Sequence, residues 1–260
     1  MKKLIRIGLV LSMVAALMFA VTACGGSSAS IKGKTLTAAM EPTFPPFDTT
    51  NDKGDLDGFD VDMVNAIAKD QGFKVKWKNM EFDGLISALK SNNIDIVASG
   101  LTITKERQKQ VDFSDSYYDS GLTVAVANDN NDIKGIDSLS KDTIVGVQIG
   151  TSGAKKAESL KKKGQIKTVK TYNGLDVAFQ DLQNGTVDAV INDLPVTKAY
   201  IEKQPDKIKI VGDTIDAESY GIAVNKDNSE LKDMINAGLK DIKDNGTYDK
   251  LFKKWKLGSE

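Results

Sequence analysis

No histidine occurs in these 260 residues, and Cys24 is the one cysteine. A Ser-His-Asp triad, a Cys-His pair, a His-ligated metal and an internal disulfide are therefore all excluded. Any chemistry must run on Asp, Glu, Lys, Tyr or Ser, so elimination favours a protein that binds over one that reacts. Two polar positions stand out by their spacing. Leu89-Lys-Ser-Asn-Asn-Ile-Asp95 runs into Ile-Val-Ala-Ser99-Gly100, and ninety-three residues later Leu182-Gln-Asn-Gly-Thr-Val-Asp188 runs into Ala-Val-Ile-Asn192-Asp193. Helix end, turn, acid and apolar strand keep one spacing, as two lobes of similar topology would. Ligands of open α/β sheets bind beyond the carboxyl ends of strands. Ser99, Gly100, Asn192 and Asp193 are thus candidate site residues facing each other across a cleft. Taken alone, Asp193 before Leu194-Pro195 also suits a helix N-cap, and Arg107 in Lys-Glu-Arg-Gln-Lys reads as a solvated helix charge. Asp60-Val-Asp62 fits the first turn of a helix better than a metal site. Asp129-Asn-Asn-Asp132 lacks the later Gly and Glu of a calcium loop.

Positioning such residues requires an alternation of strands and helices, and the chain supplies one. Strands are predicted at 35–40, 74–79, 94–99, 122–127, 143–148, 166–170, 187–192 and 220–224. Between them Phe82, Leu85, Ile86 and Leu89 recur at helical spacing, as do Leu175, Ala178, Phe179 and Leu182. Tyr248, Leu251, Phe252 and Trp255 repeat the pattern near the end, and a further helix is expected over 152–163. This βαβ rhythm implies an α/β fold with mainly parallel sheets.

The N-terminus predicts where the protein works. Lys2, Lys3 and Arg6 precede a mostly apolar run over residues 7–20, and then comes Val21-Thr22-Ala23-Cys24. That order of parts is a secretory signal, too short to span a bilayer uncleaved. Its small-small-Cys ending resembles the bacterial lipobox, in which the Cys is lipidated. Residues 1–23 are read as the signal and 24–33, opening Gly25-Gly26-Ser27-Ser28, as a flexible tether. The expected location is the outer face of the cell membrane or the periplasm, lipid-anchored through Cys24. The formal net charge is −1 and becomes more negative when the three basic signal residues leave. That argues against a nucleic-acid partner, and the basic segment 155–163 carries no interleaved aromatic residue.

Several ordered motifs carry a resemblance. Gly58-Phe-Asp-Val-Asp62, Gly100-Leu-Thr-Ile-Thr-Lys-Glu-Arg107, Asp112-Phe-Ser-Asp-Ser-Tyr-Tyr118, Gly146-Val-Gln-Ile-Gly-Thr-Ser-Gly153 and Asn245-Gly-Thr-Tyr-Asp-Lys-Leu-Phe-Lys-Lys-Trp255 occur in sequence. Together they resemble the polar amino-acid-binding proteins of bacterial ABC importers, solute-binding family 3, from about Thr35 to Trp255. The resemblance implies a two-lobed periplasmic-binding-protein fold with two crossing hinge strands. Residues 34–116 plus 222–260 would form the first lobe, 122–216 the second, and 117–121 and 217–221 the hinges. It implies a monomer that binds a polar L-amino acid, works with an ABC permease and its ATPase subunits, and needs no cofactor or metal. Arg107 matches the arginine that binds the ligand carboxylate. Thr102 matches a residue offering its N–H to that carboxylate and its hydroxyl to the ammonium, and Gly100 brings a carbonyl close. Asp193 matches the partner of the α-ammonium, while Ser152 and Thr151 open a helix whose N–H groups favour an anion. Phe44 and Phe82 match aromatic walls around the ligand side chain. Glu41 stands where glutamine-binding relatives carry a shorter aspartate, and Gln148 where they usually carry a lysine. Stretches such as 130–132 and 211–223 look like glutamine-binding proteins, whereas the turn at 146–153 is closer to arginine-binding members. Whole-chain resemblance therefore points to glutamine, and pocket charge to arginine or lysine. An alternative is a same-fold lyase of the cyclohexadienyl dehydratase type, with Glu41 as its acid.

Overall fold

The computed structural model describes residues 31–258; the signal, Cys24 and the first part of the tether lie outside the described residues. Strand β1 (Thr35–Met40) opens the fold, followed by a small ribbon of β2 (Thr49–Thr50) and β3 (Leu56–Asp57). Helix α1 (Phe59–Gln71) leads to β4 (Lys74–Asn79), and a tight turn at Phe82 leads to α2 (Leu85–Lys90) and β5 (Ile96–Val97). The short helix α3 (Lys105–Gln108) and β6 (Asp112–Phe113) complete this part. The long strand β7 (Tyr118–Ala127) then carries the chain into a second sheet. That sheet is built by β8 (Ile144–Gln148), α4 (Ser152–Lys162), β9 (Thr168–Tyr172), α5 (Leu175–Gln183), β10 (Ala189–Asp193) and α6 (Leu194–Lys203). Strand β11 (Ile208–Tyr220) returns the chain, β12 (Ala223–Val224) rejoins the first sheet, and α7 (Ser229–Asp244) and α8 (Thr247–Lys254) close the fold.

Each sheet has five strands, in the orders β4-β1-β5-β12-β6 and β11-β7-β10-β8-β9. Parallel pairing holds for β1 with β4 and β5, and for β8 with β9 and β10. The remaining pairs of both sheets are antiparallel, so the expectation of mainly parallel sheets is corrected. The reason is topological. A chain that leaves the first sheet and comes back must enter strands from the far side, against the direction of the βαβ units.

Two of the three helix stripes bury largely as their spacing dictates, whereas Tyr248, Leu251 and Phe252 of α8 and Trp255 just after it are only half-buried. Leu175, Ala178, Phe179 and Leu182 of α5 are buried, and so are Leu85 and Leu89 of α2 with Phe82 ahead of them. In α7, Leu231, Ile235, Leu239 and Ile242 face inward. Its Gly238 lets α1 approach closely, since a Cβ there would come within 2.8 Å of Ile67 Cγ2. Two apolar clusters among the described residues lie against the sheets. One surrounds Leu85, Leu89, Ile94 and Val97 in the first sheet; the other surrounds Val124, Val145, Val147 and Ile191 in the second.

The two crossing strands run as one antiparallel ladder, with Tyr118 opposite Tyr220, Ser120 opposite Glu218 and Gly121 opposite Ala217. The expected strand over 220–224 is split at Gly221 and Ile222, and a Cβ at Gly221 would come within 2.9 Å of Ile103 and 3.0 Å of Phe113. Segment 101–103 pairs beside the second crossing: Thr102 bridges Tyr220, and the Ile103 N–H donates to the Ser219 carbonyl at 2.8 Å.

Candidate functional site

Arg107 is not a solvated charge. It lies in α3, whose N-cap Thr104 accepts the Arg107 N–H at 3.2 Å, and it is buried. Its Nη1 donates to the Thr102 carbonyl at 2.7 Å, and its Nη2 donates across to the Gly150 carbonyl of the second half at 3.1 Å. The Phe82 ring lies beneath the guanidinium, 5.4 Å from its carbon, so this aromatic residue both opens the apolar stripe and steadies Arg107. Burial pulls the guanidinium down from its usual range, and Asp193 and Glu218 oppose that pull. A planar fork fixed in this way suits a carboxylate.

Asp193 ends β10 and precedes α6, with a proline in the first turn. The position is the expected N-cap, but the side chain makes no cap hydrogen bond, and its Oδ1 is buried without a partner. Capping is thus corrected to a backbone role only. Burial, and then the charge and hydrogen bond of Glu218, push the Asp193 carboxyl well above the usual carboxylate range, against weaker pulls from Tyr220 and Arg107. Neighbouring Asn192 turns inward, toward the Asp193 carbonyl and Thr197 Oγ1, both at 3.4 Å.

Gly100 adopts φ 51°, and a Cβ on it would fall 2.3 Å from the Phe44 ring. Only glycine lets that backbone and ring meet. Phe44 itself is buried, and its ring stands 6.2 Å from that of Tyr220. The Gly100 N–H donates to Asp60 Oδ2 at 2.8 Å, and the Tyr117 hydroxyl donates to the same oxygen at 2.9 Å. Asp60 does occupy the first turn of α1. Burial raises its carboxyl to about 7, despite those two donors. Buried Asp48 is also pushed well above the usual carboxylate range, first by burial and then by Asp60 and Glu41.

Ser99 accepts the Glu41 N–H through its Oγ at 3.1 Å. The Glu41 Oε2 receives Thr43 Oγ1–H at 2.8 Å, the Thr43 N–H at 3.2 Å and Gln148 Nε2–H at 2.8 Å. Gln148 also donates to the Asn173 carbonyl at 2.8 Å, while its Oε1 is buried without a partner. Burial raises the Glu41 carboxyl, and its hydrogen bonds to Thr43 and Gln148 oppose the rise. Thr151 caps α4, accepting the Ala154 N–H at 3.1 Å and donating to the Gln148 carbonyl at 2.7 Å. Ser152 begins that helix, and its hydroxyl donates to Glu218 Oε2 at 3.0 Å. Thr102 Oγ1 donates to the same oxygen at 3.3 Å.

Apart from Cys24, which lies outside the described residues, the candidate ligand-site residues are linked to one another by these hydrogen bonds and ring contacts. Two residues escaped notice. Thr43 accepts the Leu175 N–H at 2.8 Å while its carbonyl accepts the Tyr200 hydroxyl at 2.9 Å, which ties the loop after β1 to the second half. Glu218 lies within 217–221, a segment the sequence marks only as a hinge. The mixed polar and apolar pattern around each gave no periodic signal.

Residues 36–258 match the model of the bacterial extracellular solute-binding proteins, family 3. The chain is 37% identical over 224 residues to the arginine-binding periplasmic protein of Mannheimia haemolytica, spanning 84% of this chain and 90% of that protein. It is similar to the solved structure of an ancestral arginine-binding protein bound to arginine, with TM-score 0.82 and 46% identity over 87% of this chain and 99% of that one. An ancestral arginine-binding protein bound to glutamine gives TM-score 0.79 and 46% identity, over 85% and 97% of the two chains.

Proposed function

The chain belongs to the bacterial extracellular solute-binding proteins of family 3, and from that premise we propose that it captures a cationic L-amino acid, arginine before lysine, for an ABC importer. In this reading 34–116 with 222–260 and 122–216 are lobes that close on the ligand about hinges at 117–121 and 217–221. Arg107, the Thr102 N–H and the N-terminus of α4 at Ser152 would hold the α-carboxylate. Asp193, the Thr102 hydroxyl and the Gly100 carbonyl would hold the α-ammonium. Contacts from both sides of the cleft favour the closed arrangement selectively, so ligand drives closure.

Glu41 carries the choice of side chain. It is a buried carboxylate whose hydrogen-bond donors, Thr43 and Gln148, are all neutral. A guanidinium or ammonium would cancel the desolvated charge, whereas a glutamine amide would add only another neutral donor. Glutamine is the second reading, supported by the likeness to an ancestral arginine-binding protein whose structure holds glutamine. Thermal shift and calorimetry with arginine, lysine and glutamine decide the matter, because a ligand raises the melting point by mass action. Tight glutamine binding with no response to arginine would overturn the charge argument. Turnover of prephenate or arogenate would instead establish the lyase alternative.

An anchor completes the reading. Cys24 would carry lipid and hold a monomer at the membrane, and stable retention needs more than one acyl chain. Cys24→Ser should leave the protein in the soluble fraction or as unprocessed precursor; normal processing with full membrane retention would argue against lipidation.

A further inference from the structure

Glu218 lies on β11, opposite Ser120 of the other crossing strand, and is half-buried. One of its oxygens, Oε2, receives hydroxyl protons from both halves of the molecule, from Thr102 at 3.3 Å and from Ser152 at 3.0 Å. Glu218 raises the nearby Asp193 carboxyl, and Arg107 feels the charge of both acids. No strand pairing requires an acid here, since neighbouring ladder positions on β11 carry Ala217 and Ser219.

A hydroxyl has one proton and two lone pairs. Once Thr102 has given its proton to Glu218, its oxygen can only accept from anything else. The same holds for Ser152, whose backbone N–H stays available to an anion. Glu218 and Asp193 therefore make one end of the site accept protons and repel carboxylates, while Arg107 makes the other end donate. We propose that Glu218 is a positioning residue for the ligand's α-ammonium, orienting the Thr102 hydroxyl and, with Asp193, fixing which way round a zwitterion enters. This inference rests on the amino-acid reading above.

Calorimetry on the full chain tests it with a matched pair of probes, L-arginine and 5-guanidinopentanoate, which lacks the α-amino group. Glu218→Ala should weaken L-arginine about tenfold to hundredfold, the range for hydrogen bonds to a charged group. It should leave 5-guanidinopentanoate unchanged or bound more tightly. Glu218→Gln, whose amide oxygen can accept the same two protons, should restore most of the L-arginine affinity. A pH series adds a readout that packing alone would not move. The charged and titratable groups facing Asp193 are Glu218, Arg107 and Tyr220. Glu218 raises the Asp193 carboxyl, so the loss of L-arginine binding on acidification should begin at lower pH in Glu218→Gln. Equal losses for both probes, or an unshifted acid limb, would overturn the proposal. If wild type binds neither L-arginine nor L-glutamine, the amino-acid reading itself fails, and this inference with it.

Discussion

Arg107 and Asp193 are both buried, but the two should behave differently when removed. Arg107 holds the Thr102 and Gly150 carbonyls as well as its proposed ligand. Arg107→Ala should therefore lose stability and binding together, with about 2–5 kcal/mol of binding at stake, roughly thirtyfold to several thousandfold. Near-normal calorimetric affinity in a folded Arg107→Ala protein would remove the site assignment. Asp193 has a buried oxygen without a partner and supplies no cap bond. Asp193→Asn should fold with an unchanged or higher melting temperature while losing most amino-acid affinity, since a site that binds charge is strained without it. A drop in melting temperature would show that the carboxylate is structural. Taken alone, the sequence makes Arg107 a surface charge and leaves Asp193 both a cap and a strand-end site candidate. The family resemblance reverses the first reading and favours the site role in the second, because burial depends on neighbours far along the chain. Glu218 and Thr43 stayed hidden for the same reason: their partners lie 116 and 132 residues away.

At the scale of elements, helix α4 depends on its cap. Thr151→Ala removes the acceptor for the Ala154 N–H and the donor to the Gln148 carbonyl, and should cost about 1 kcal/mol or somewhat more of unfolding free energy by denaturant titration. A loss confined to stability, with binding intact, would mean the cap does not set the position of Ser152. Helix stripes and the strands β1 and β4 were legible from side-chain periodicity, and both strands have the expected bounds. Strand direction was not legible, because periodicity reports which face is buried and says nothing of the partner. Expected strand 94–99 shrinks to Ile96–Val97 for a related reason. Its residues are buried as the apolar run suggests, but only two find ladder partners on the β1 side. In the opposite direction, the ladder extends β7 back to Tyr118 through polar residues that no apolar pattern marks.

For the molecule as a whole, the buried acids behind Gly100 set a pH dependence. Asp60 is raised from an ordinary 3.8 to about 7, so the folded state holds its proton more tightly than the unfolded chain does. Its contribution is fully present below about pH 4 and is lost as pH rises through 7. Asp48 acts in the same direction. Asp60→Asn keeps an oxygen to accept from Gly100 and Tyr117, and should flatten the fall in melting temperature between pH 4 and 7. An unchanged slope in that variant would mean Asp60 is ionised throughout.

The position of β12 has a consequence for how the protein is made. These two residues, Ala223 and Val224, sit between β5 and β6 and pair with both. The first sheet therefore stays split until residue 224 is available, although most of its other strands were synthesised more than a hundred residues earlier. Pairing across such a sequence separation closes slowly, and an unfilled gap in a sheet exposes backbone that invites misassembly. Nearly the whole chain must emerge before either edge of that gap can be sealed. A sheet whose central strand comes from residues 223–224 is expected to form late, after the second half of the chain is already available to fold.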